Sequence, residues 1–372
     1  MVDLILANDC GTSLVKNVYS VGRGQPELLL MPPGLVEVSR DSIESYKSSR
    51  LAVPEPHNEA WIELGGKCYA VGFLAEKEFD ALIDLRELKY ENAIRKIVAL
   101  VGAIAVAKGL PNKFTVGIAS LLPRQEWENR ATFQRGLAEA LSDFFFCDRH
   151  FWVELQTFVC RPEGGGLVWT RSRRVGSAFR TMIVLTLMLG YRDASVELLE
   201  RGLSSGYSRK IGMYWMLDRV LKRTSGQELQ ELLQTIHQVG TAIKPRKFKH
   251  LVLSREPEFM AEEEAQIAEA VRVSRLEYWT RLSNWLKSVV RGKIDQVIIG
   301  GGSAEYIKPE LQSYFSPVPI SWAAELSEDV RQAFNLPVTE DNLCLRLADV
   351  YGLYRCLQKQ VAPSLVDIGK QD

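Results

Sequence analysis

At 372 residues the chain exceeds a single core of ordinary size, so two domains are expected. Lys plus Arg and Asp plus Glu both number 46, which leaves no global field favouring nucleic acid or an acidic membrane surface; any DNA contact has to be local or pass through a partner. Hydrophobic residues at 46% and charged residues at 25% are the proportions of a soluble globular protein.

The six cysteines (Cys10, Cys68, Cys147, Cys160, Cys344 and Cys356) form no Cys-x-x-Cys pair and meet no His at metal-ligand spacing. Reduced, mostly buried thiols in a cytosol are the expectation. No basic segment leads into an apolar core at the start, and the longest apolar run, Ile97 to Ala107, has 11 residues, short of the roughly 18 that a membrane span needs. A cytoplasmic protein without membrane insertion is expected.

The chain opens on an apolar strand ending at Asp9, a Gly-Thr-Ser turn, and a second strand, Lys16 to Val21. Gly11 has no Cβ, so backbone can approach a ligand closely, and successive N–H groups with the Thr12 and Ser13 hydroxyls can donate to phosphate oxygens. Asp9 suits a hydrated Mg²⁺, and Lys16 adds a positive charge against phosphates. Alone, Asp-x-Gly-Thr reads first as an ordinary glycine turn, because short motifs recur by chance. Glu27 to Met31 makes a third strand, ended by Pro32-Pro33-Gly34. Residues 36–56 read as a polar, irregular insertion. Trp61–Leu64 and Cys68–Val71 form a hairpin about Gly65-Gly66, ended by Gly72.

Tyr90 to Lys108 reads as a helix closed by Gly109 and Pro111, Phe114 to Leu121 as a central strand, and Trp127 to Phe145 as an amphipathic helix. A strand from Phe151 to Val159 runs into Cys160-Arg161-Pro162-Glu163-Gly164-Gly165-Gly166. Permissive backbone there presents Glu163 to a ligand or, on the blander reading, makes a flexible loop with a solvated Glu. Thr181 to Leu189, a turn at Gly190 and Ala194 to Leu199 repeat the opening arrangement about 180 residues later, which points to two similar halves. Helices are expected over Ser208 to Arg223 and Gln227 to Gln238. Lys244 to His250 carries four positive charges in six positions and reads as a solvated loop ahead of a contact with nucleic acid or an acidic partner. Glu262 to Val290 is the strongest helical segment. A strand from Ile294 to Ile299 meets Gly300-Gly301-Gly302-Ser303 and a helix from Pro309, and the triple glycine lets a flat ligand lie against the backbone. Leu343 to Gln358 reads as a last helix.

In order and spacing, these pieces resemble the actin-like ATPase superfamily, and within it the bacterial ParM/StbA-type filament proteins. Asp9-Cys10-Gly11-Thr12-Ser13 with Lys16 looks like the first phosphate loop, and Val297 to Ala304 looks like the adenosine motif. Tyr69-Ala70-Val71-Gly72 with Ala75 is similar to the end of the small hairpin subdomain, and Arg161-Pro162-Glu163 to the Pro-Glu segment whose Glu orients the attacking water. The resemblance implies an α/β, actin-like fold, with two ribonuclease H-like domains around a nucleotide cleft. It implies domain I over 1–180, with a small subdomain at about 36–72, domain II over 181–342, and a C-terminal helix, 343–360, returning to domain I through Leu347 to Leu353.

The resemblance further implies a nucleotide-dependent, filament-forming ATPase of the prokaryotic cytoskeleton, serving ParM-type plasmid DNA segregation. Glu163 is then catalytic. Asp9, Gly11, Thr12, Ser13, Lys16, Gly190, Gly300, Gly301, Gly302 and Ser303 bind ATP or ADP, with GTP as the alternative, and Asp9 holds Mg²⁺ through water. The implied partners are further copies of the chain and a small, DNA-bound adaptor, without direct nucleic-acid contact. One departure stands out: Met188 occupies the position where the family's second phosphate loop carries Asp. It motivates an alternative reading, a slowly hydrolysing or non-hydrolysing filament scaffold for cell shape or positioning.

Overall fold

A short apolar run, buried on both faces, sets the first strand. In the computed structural model, which describes residues 2–81 and 89–362, β1 (Leu4–Cys10) sends Leu4, Leu6 and Cys10 into one core face. It pairs antiparallel with β2 (Val15–Val21), which pairs in turn with β3 (Glu27–Met31).

Residues 36–56 hold more order than their polarity predicts. β4 (Leu35–Val38) pairs with β6, and α1 (Arg40–Ser49) follows. The Ser39 hydroxyl caps α1 by accepting from the Ser42 N–H at 3.0 Å, while Ile43 is its buried residue, so the helix has a start signal but almost no apolar period. The hairpin forms as expected: β5 (Trp61–Leu64) and β6 (Lys67–Val71) turn at Gly65 and Gly66, with φ of +57° and +75°, the left-handed pair that a two-residue hairpin favours. With α2 (Phe73–Glu78), the segment closes a small core of Ile43, Trp61, Ala70, Leu74 and Ala75.

α3 (Lys89–Ala107) buries Ile97, Leu100, Val101 and Ile104 in one core with Val116 and Ile118 of β7 (Lys113–Leu122). The single helix expected from Trp127 to Phe145 divides into α4 (Arg124–Trp127) and α5 (Arg130–Ser142), then gives way to β8 (Phe144–Phe146). Phe144 and Phe146 are buried, and the strand turns back at Cys147 and Asp148, both at positive φ, into β9 (Arg149–Pro162). The glycines after Glu163 are not a loop but the start of α6 (Gly165–Val175). The first sheet runs β3-β2-β1-β7-β9-β8-β5-β6-β4, with β1, β7 and β9 mutually parallel.

The second sheet repeats the core of the first. β10 (Ile183–Leu189), β11 (Ala194–Glu200) and β12 (Leu203–Arg209) form an antiparallel meander. β12 corrects the helix expected from Ser208: the helix, α7 (Met213–Leu221), starts later, at Gly212. α8 (Leu229–Val239) and α9 (Pro257–Val289) cover one face, burying Leu232, Ile236, Ile267, Val271 and Leu282 with Leu185, Leu187 and Leu189 of β10. Between them the basic segment coils as a 3₁₀ turn, Pro245–Leu251, that buries Phe248 and Leu251 and leaves Lys244, Arg246, Lys247 and Lys249 exposed. β13 (Gln296–Gly300), α10 (Lys308–Phe315) and β14 (Ile320–Trp322) complete the order β12-β11-β10-β13-β14, which matches β3-β2-β1-β7-β9 strand for strand.

The chain then returns to the first sheet with α11 (Ala324–Phe334) and α12 (Asp341–Val361). Two compact units result: unit 1 comprises Met1–Gly176 with Ala324–Asp372, and unit 2 comprises Ser177–Ala323. α12 packs on β1 and β7; the Tyr354 hydroxyl is 2.9 Å from the Ser20 hydroxyl of β2. Among the described residues, no helix is long and apolar enough to cross a membrane.

Candidate functional site

In a sheet with parallel strands, ligands are met beyond the carboxyl ends of the strands, where turns leave the sheet. In unit 1 those ends carry the residues singled out above. β1 finishes at Cys10 and enters the Gly11–Leu14 turn; β9 finishes at Pro162 and enters Glu163. The main chain ties the second turn to the sheet, with the Glu163 N–H donating to the Leu122 carbonyl of β7 at 2.9 Å.

Asp9 and Lys16 face each other across the β1–β2 ladder, and their side chains form an ion pair of 2.5 Å. Both are largely sheltered, at 14% and 15% side-chain exposure, so the pair is screened less than a surface one. The turn between them is tight. Its Gly11 N–H donates to the Asp9 carbonyl at 2.8 Å, and a Cβ on Gly11 would lie 2.5 Å from the Leu14 carbonyl oxygen, so only glycine fits. Thr12 and Ser13 stay half-exposed, with hydroxyls available to an anion beside a cation. This donor set suits polyphosphate oxygens. Among the described residues no three His, Cys, Asp or Glu side chains converge to hold a metal ion directly, and Asp9 is one carboxylate suited to a hydrated cation.

Two residues of α12 join this centre: Arg346, which stands in no motif of the sequence, and Asp349, which lies in the Leu347–Leu353 stretch but carries no expected role at the site. The Arg346 guanidinium donates to the Ser13 hydroxyl at 3.3 Å, and the Arg346 carbonyl accepts from Lys16 at 3.4 Å. Burial lowers the Arg346 pKa from its ordinary value, opposed by the Asp9 charge. One turn on, the buried Asp349 carboxylate accepts from the N–H groups of Gly164 (2.7 Å), Gly166 (2.8 Å) and Leu167 (3.2 Å) at the start of α6. Burial pushes its pKa up to about 6; the Gly164 bond works against that rise, and the Asp9 charge adds to it.

Unit 2 gathers the second set. β10 and β13 are parallel neighbours with Met188 beside Gly300, so the Gly190 turn and the Gly300–Ser303 turn leave the same end of adjacent strands. Gly301, at φ +91°, passes so close to β10 that a Cβ would lie 2.3 Å from the Leu189 carbonyl. Ser303 fixes the contact: its N–H donates to the Leu189 carbonyl at 3.2 Å and its hydroxyl to the Gly190 carbonyl at 3.1 Å. The Gly190 turn is braced from behind by Gly212, Met213 and Tyr214, whose N–H groups donate to the carbonyls of Arg192, Gly190 and Tyr191. Asp193, the acid nearest to Met188 in the turn, accepts from the Arg192 guanidinium at 2.5 Å, and both side chains are buried. Asp9, Gly11, Thr12, Ser13, Lys16 and Glu163 thus share one end of the first sheet, and Gly190, Gly300, Gly301, Gly302 and Ser303 one end of the second.

No family model and no curated protein matches the chain. Solved structures do. An archaeal actin homologue in complex with ADP is 12% identical, covering 96% of this chain and 99% of its own, with a TM-score of 0.57. A 15-stranded ParM filament from Clostridium botulinum is 12% identical over 96% and 100%, with a TM-score of 0.57. The fold is actin-like. The likeness extends to Bacillus thuringiensis ParM with ADP, 12% identical over 96% and 99%, with a TM-score of 0.53. At these identities the actin-like fold is what is shared, and it is the α/β architecture expected from the order of the motifs.

Proposed function

We propose that this chain is a nucleotide-dependent, filament-forming ATPase of ParM type. The observation that carries the reading is the gathering, at the carboxyl ends of β1 and β9, of a glycine turn with two hydroxyls, a sheltered Asp9–Lys16 pair and Glu163. Gly11, Thr12, Ser13 and Lys16 bind the phosphates of ATP. Asp9 holds Mg²⁺ through water, and that ion supplies charge neutralisation when bound. In unit 2, Gly300, Gly301 and Gly302 bed the adenosine, with Ser303 and Gly190 completing that set. Glu163 positions a water for in-line attack on the γ-phosphoryl group, giving ADP and inorganic phosphate. The ADP held by two of the structural neighbours supports a nucleotide, with GTP as the alternative base; the filament formed by a third supports self-association. A small, DNA-bound adaptor, through which the polymer moves plasmid DNA, completes the proposal, and the cytoplasm is its place.

The experiment is light scattering of the purified protein with Mg-ATP, Mg-ADP or no nucleotide, with released phosphate followed in the same cuvette. Scattering that rises with ATP and decays as phosphate appears supports a dynamic filament. The absence of any rise, under all three conditions, removes the filament reading.

A second reading, a stable scaffold that hydrolyses slowly, rests on a specific observation. Met188 lies where the resemblance calls for an acid, and the nearby Asp193 is engaged by Arg192. Scattering that rises and persists with little phosphate decides for it.

A further inference from the structure

α12 reaches the phosphate centre twice from one face, three residues apart, through Arg346 to Ser13 and through Asp349 to the segment after Glu163. The second contact is the less expected. A helix leaves its first N–H groups without intrahelical partners, and a local Ser, Thr, Asp or Asn usually fills them. Here the N-cap is Gly164, which has no side chain to offer and sits at φ +90°. The donors are filled instead by a carboxylate 182 to 185 residues further along the chain. The local sequence, three consecutive glycines, has little stiffness of its own.

The geometry at the crossing is exact enough to act as a clamp. A Cβ on Gly166 would lie 1.9 Å from the Asp349 carbonyl oxygen, so main chain meets main chain beside the carboxylate. Asp349 is buried; the Gly164, Gly166 and Leu167 N–H groups favour its charged form, and the like charge of Asp9 on β1 opposes it. At φ +90° a side-chain cap at position 164 is strained, so the cap of α6 has to come from elsewhere in the chain. A distant, buried carboxylate adds something a local cap does not, which is to tie the Glu163 turn to the helix that also holds Ser13.

We infer that Asp349 is a positioning residue for hydrolysis, fixing the Gly164–Leu167 segment so that Glu163 is held at the end of β9; this rests on the ATPase reading above. Asp349 does not touch the reacting atoms. It acts through Glu163, and displacement of such a group by an ångström is enough to cost about 100-fold in rate.

The test uses the full chain with Mg-ATP and four variants: Asp349→Ala, Asp349→Asn, Glu163→Gln and the double variant Asp349→Ala/Glu163→Gln. Asp349→Ala is expected to lower kcat by about tenfold or more while KM for ATP stays within about threefold, because the phosphate turn itself is intact. Asp349→Asn keeps one acceptor oxygen and is expected to fall between Asp349→Ala and wild type. The double variant should be no slower than Glu163→Gln, since a clamp has nothing left to position. Losses that multiply in the double variant, or a KM that rises as far as kcat falls, overturn the inference. Amide hydrogen exchange over residues 160–170 supplies an independent readout. If Glu163→Gln releases phosphate as fast as wild type, the hydrolytic role of Glu163 falls. Asp349→Ala then still has to lose protection at Gly164, Gly166 and Leu167, and unchanged protection overturns the clamp itself.

Discussion

Gly166 and Gly352 meet where α6 and α12 cross, so closely that a Cβ on Gly352 would lie 2.4 Å from the Gly166 carbonyl oxygen. Neither glycine is at positive φ, so what it supplies is the absence of a side chain rather than an unusual backbone. Gly352→Ala forces the helices apart and is expected to destabilise unit 1 by about 1–3 kcal/mol, a fall in Tm of roughly 2–10 °C. Differential scanning calorimetry checks it; an unchanged Tm means that the crossing relaxes without cost.

Lys16→Ala leaves Asp9 without its 2.5 Å partner and removes the cation from the phosphate turn. A charge-assisted contact of about 1.5–3 kcal/mol corresponds to roughly 10–100-fold in affinity. Titration with a fluorescent ATP analogue should show that loss, and wild-type affinity in the variant would move the phosphates elsewhere.

The carboxyl of Asp349 gives a pH dependence whose sign is fixed. Burial raises its pKa from 3.8 to about 6, so the folded protein holds this proton more tightly than the unfolded chain does. Its ionisation therefore opposes folding above pH 6, and the opposition is relieved as pH falls from about 6 to about 4. The relief amounts to about 3 kcal/mol. Denaturant unfolding at steps between pH 4 and pH 7, with Asp349→Asn subtracted, should show wild type gaining on the variant across that window. A flat difference would mean that the carboxyl titrates at its ordinary value.

Met188 is half-buried beside Gly300 and opposite Ser195. If its thioether stands in place of a water-orienting acid, Met188→Asp should raise phosphate release by about tenfold, some 1.4 kcal/mol of barrier. A variant that folds and releases phosphate no faster removes Met188 as the reason for the slow-scaffold reading.

Local chemistry made some of these elements legible. The β1–β2 and β5–β6 hairpins announce themselves by short apolar runs and glycine turns, and α9 by a sustained apolar period. β12 gives no such signal, because at the sheet edge Leu203, Ser204, Ser205, Tyr207 and Arg209 are exposed and nothing enforces alternation. α1 is hidden by having one buried residue, and α6 by opening on glycines that read as a loop. The site divides in the same way. Asp9, Lys16 and the glycine turns lie within short motifs, whereas Asp349 contributes through contacts more than 180 residues apart in sequence, which no spacing rule reaches.

Unit 1 is made from both sides of unit 2, since Ala324 to Val361 joins a sheet begun at Leu4. A ribosome therefore finishes unit 2 before it has made the helix that covers β1 and supplies Asp349 and Arg346. A nascent chain that has exposed the glycine turn, Lys16 and Glu163 still lacks both α12 contacts. A product terminated before α12 carries the recognisable motifs without the Arg346 and Asp349 contacts.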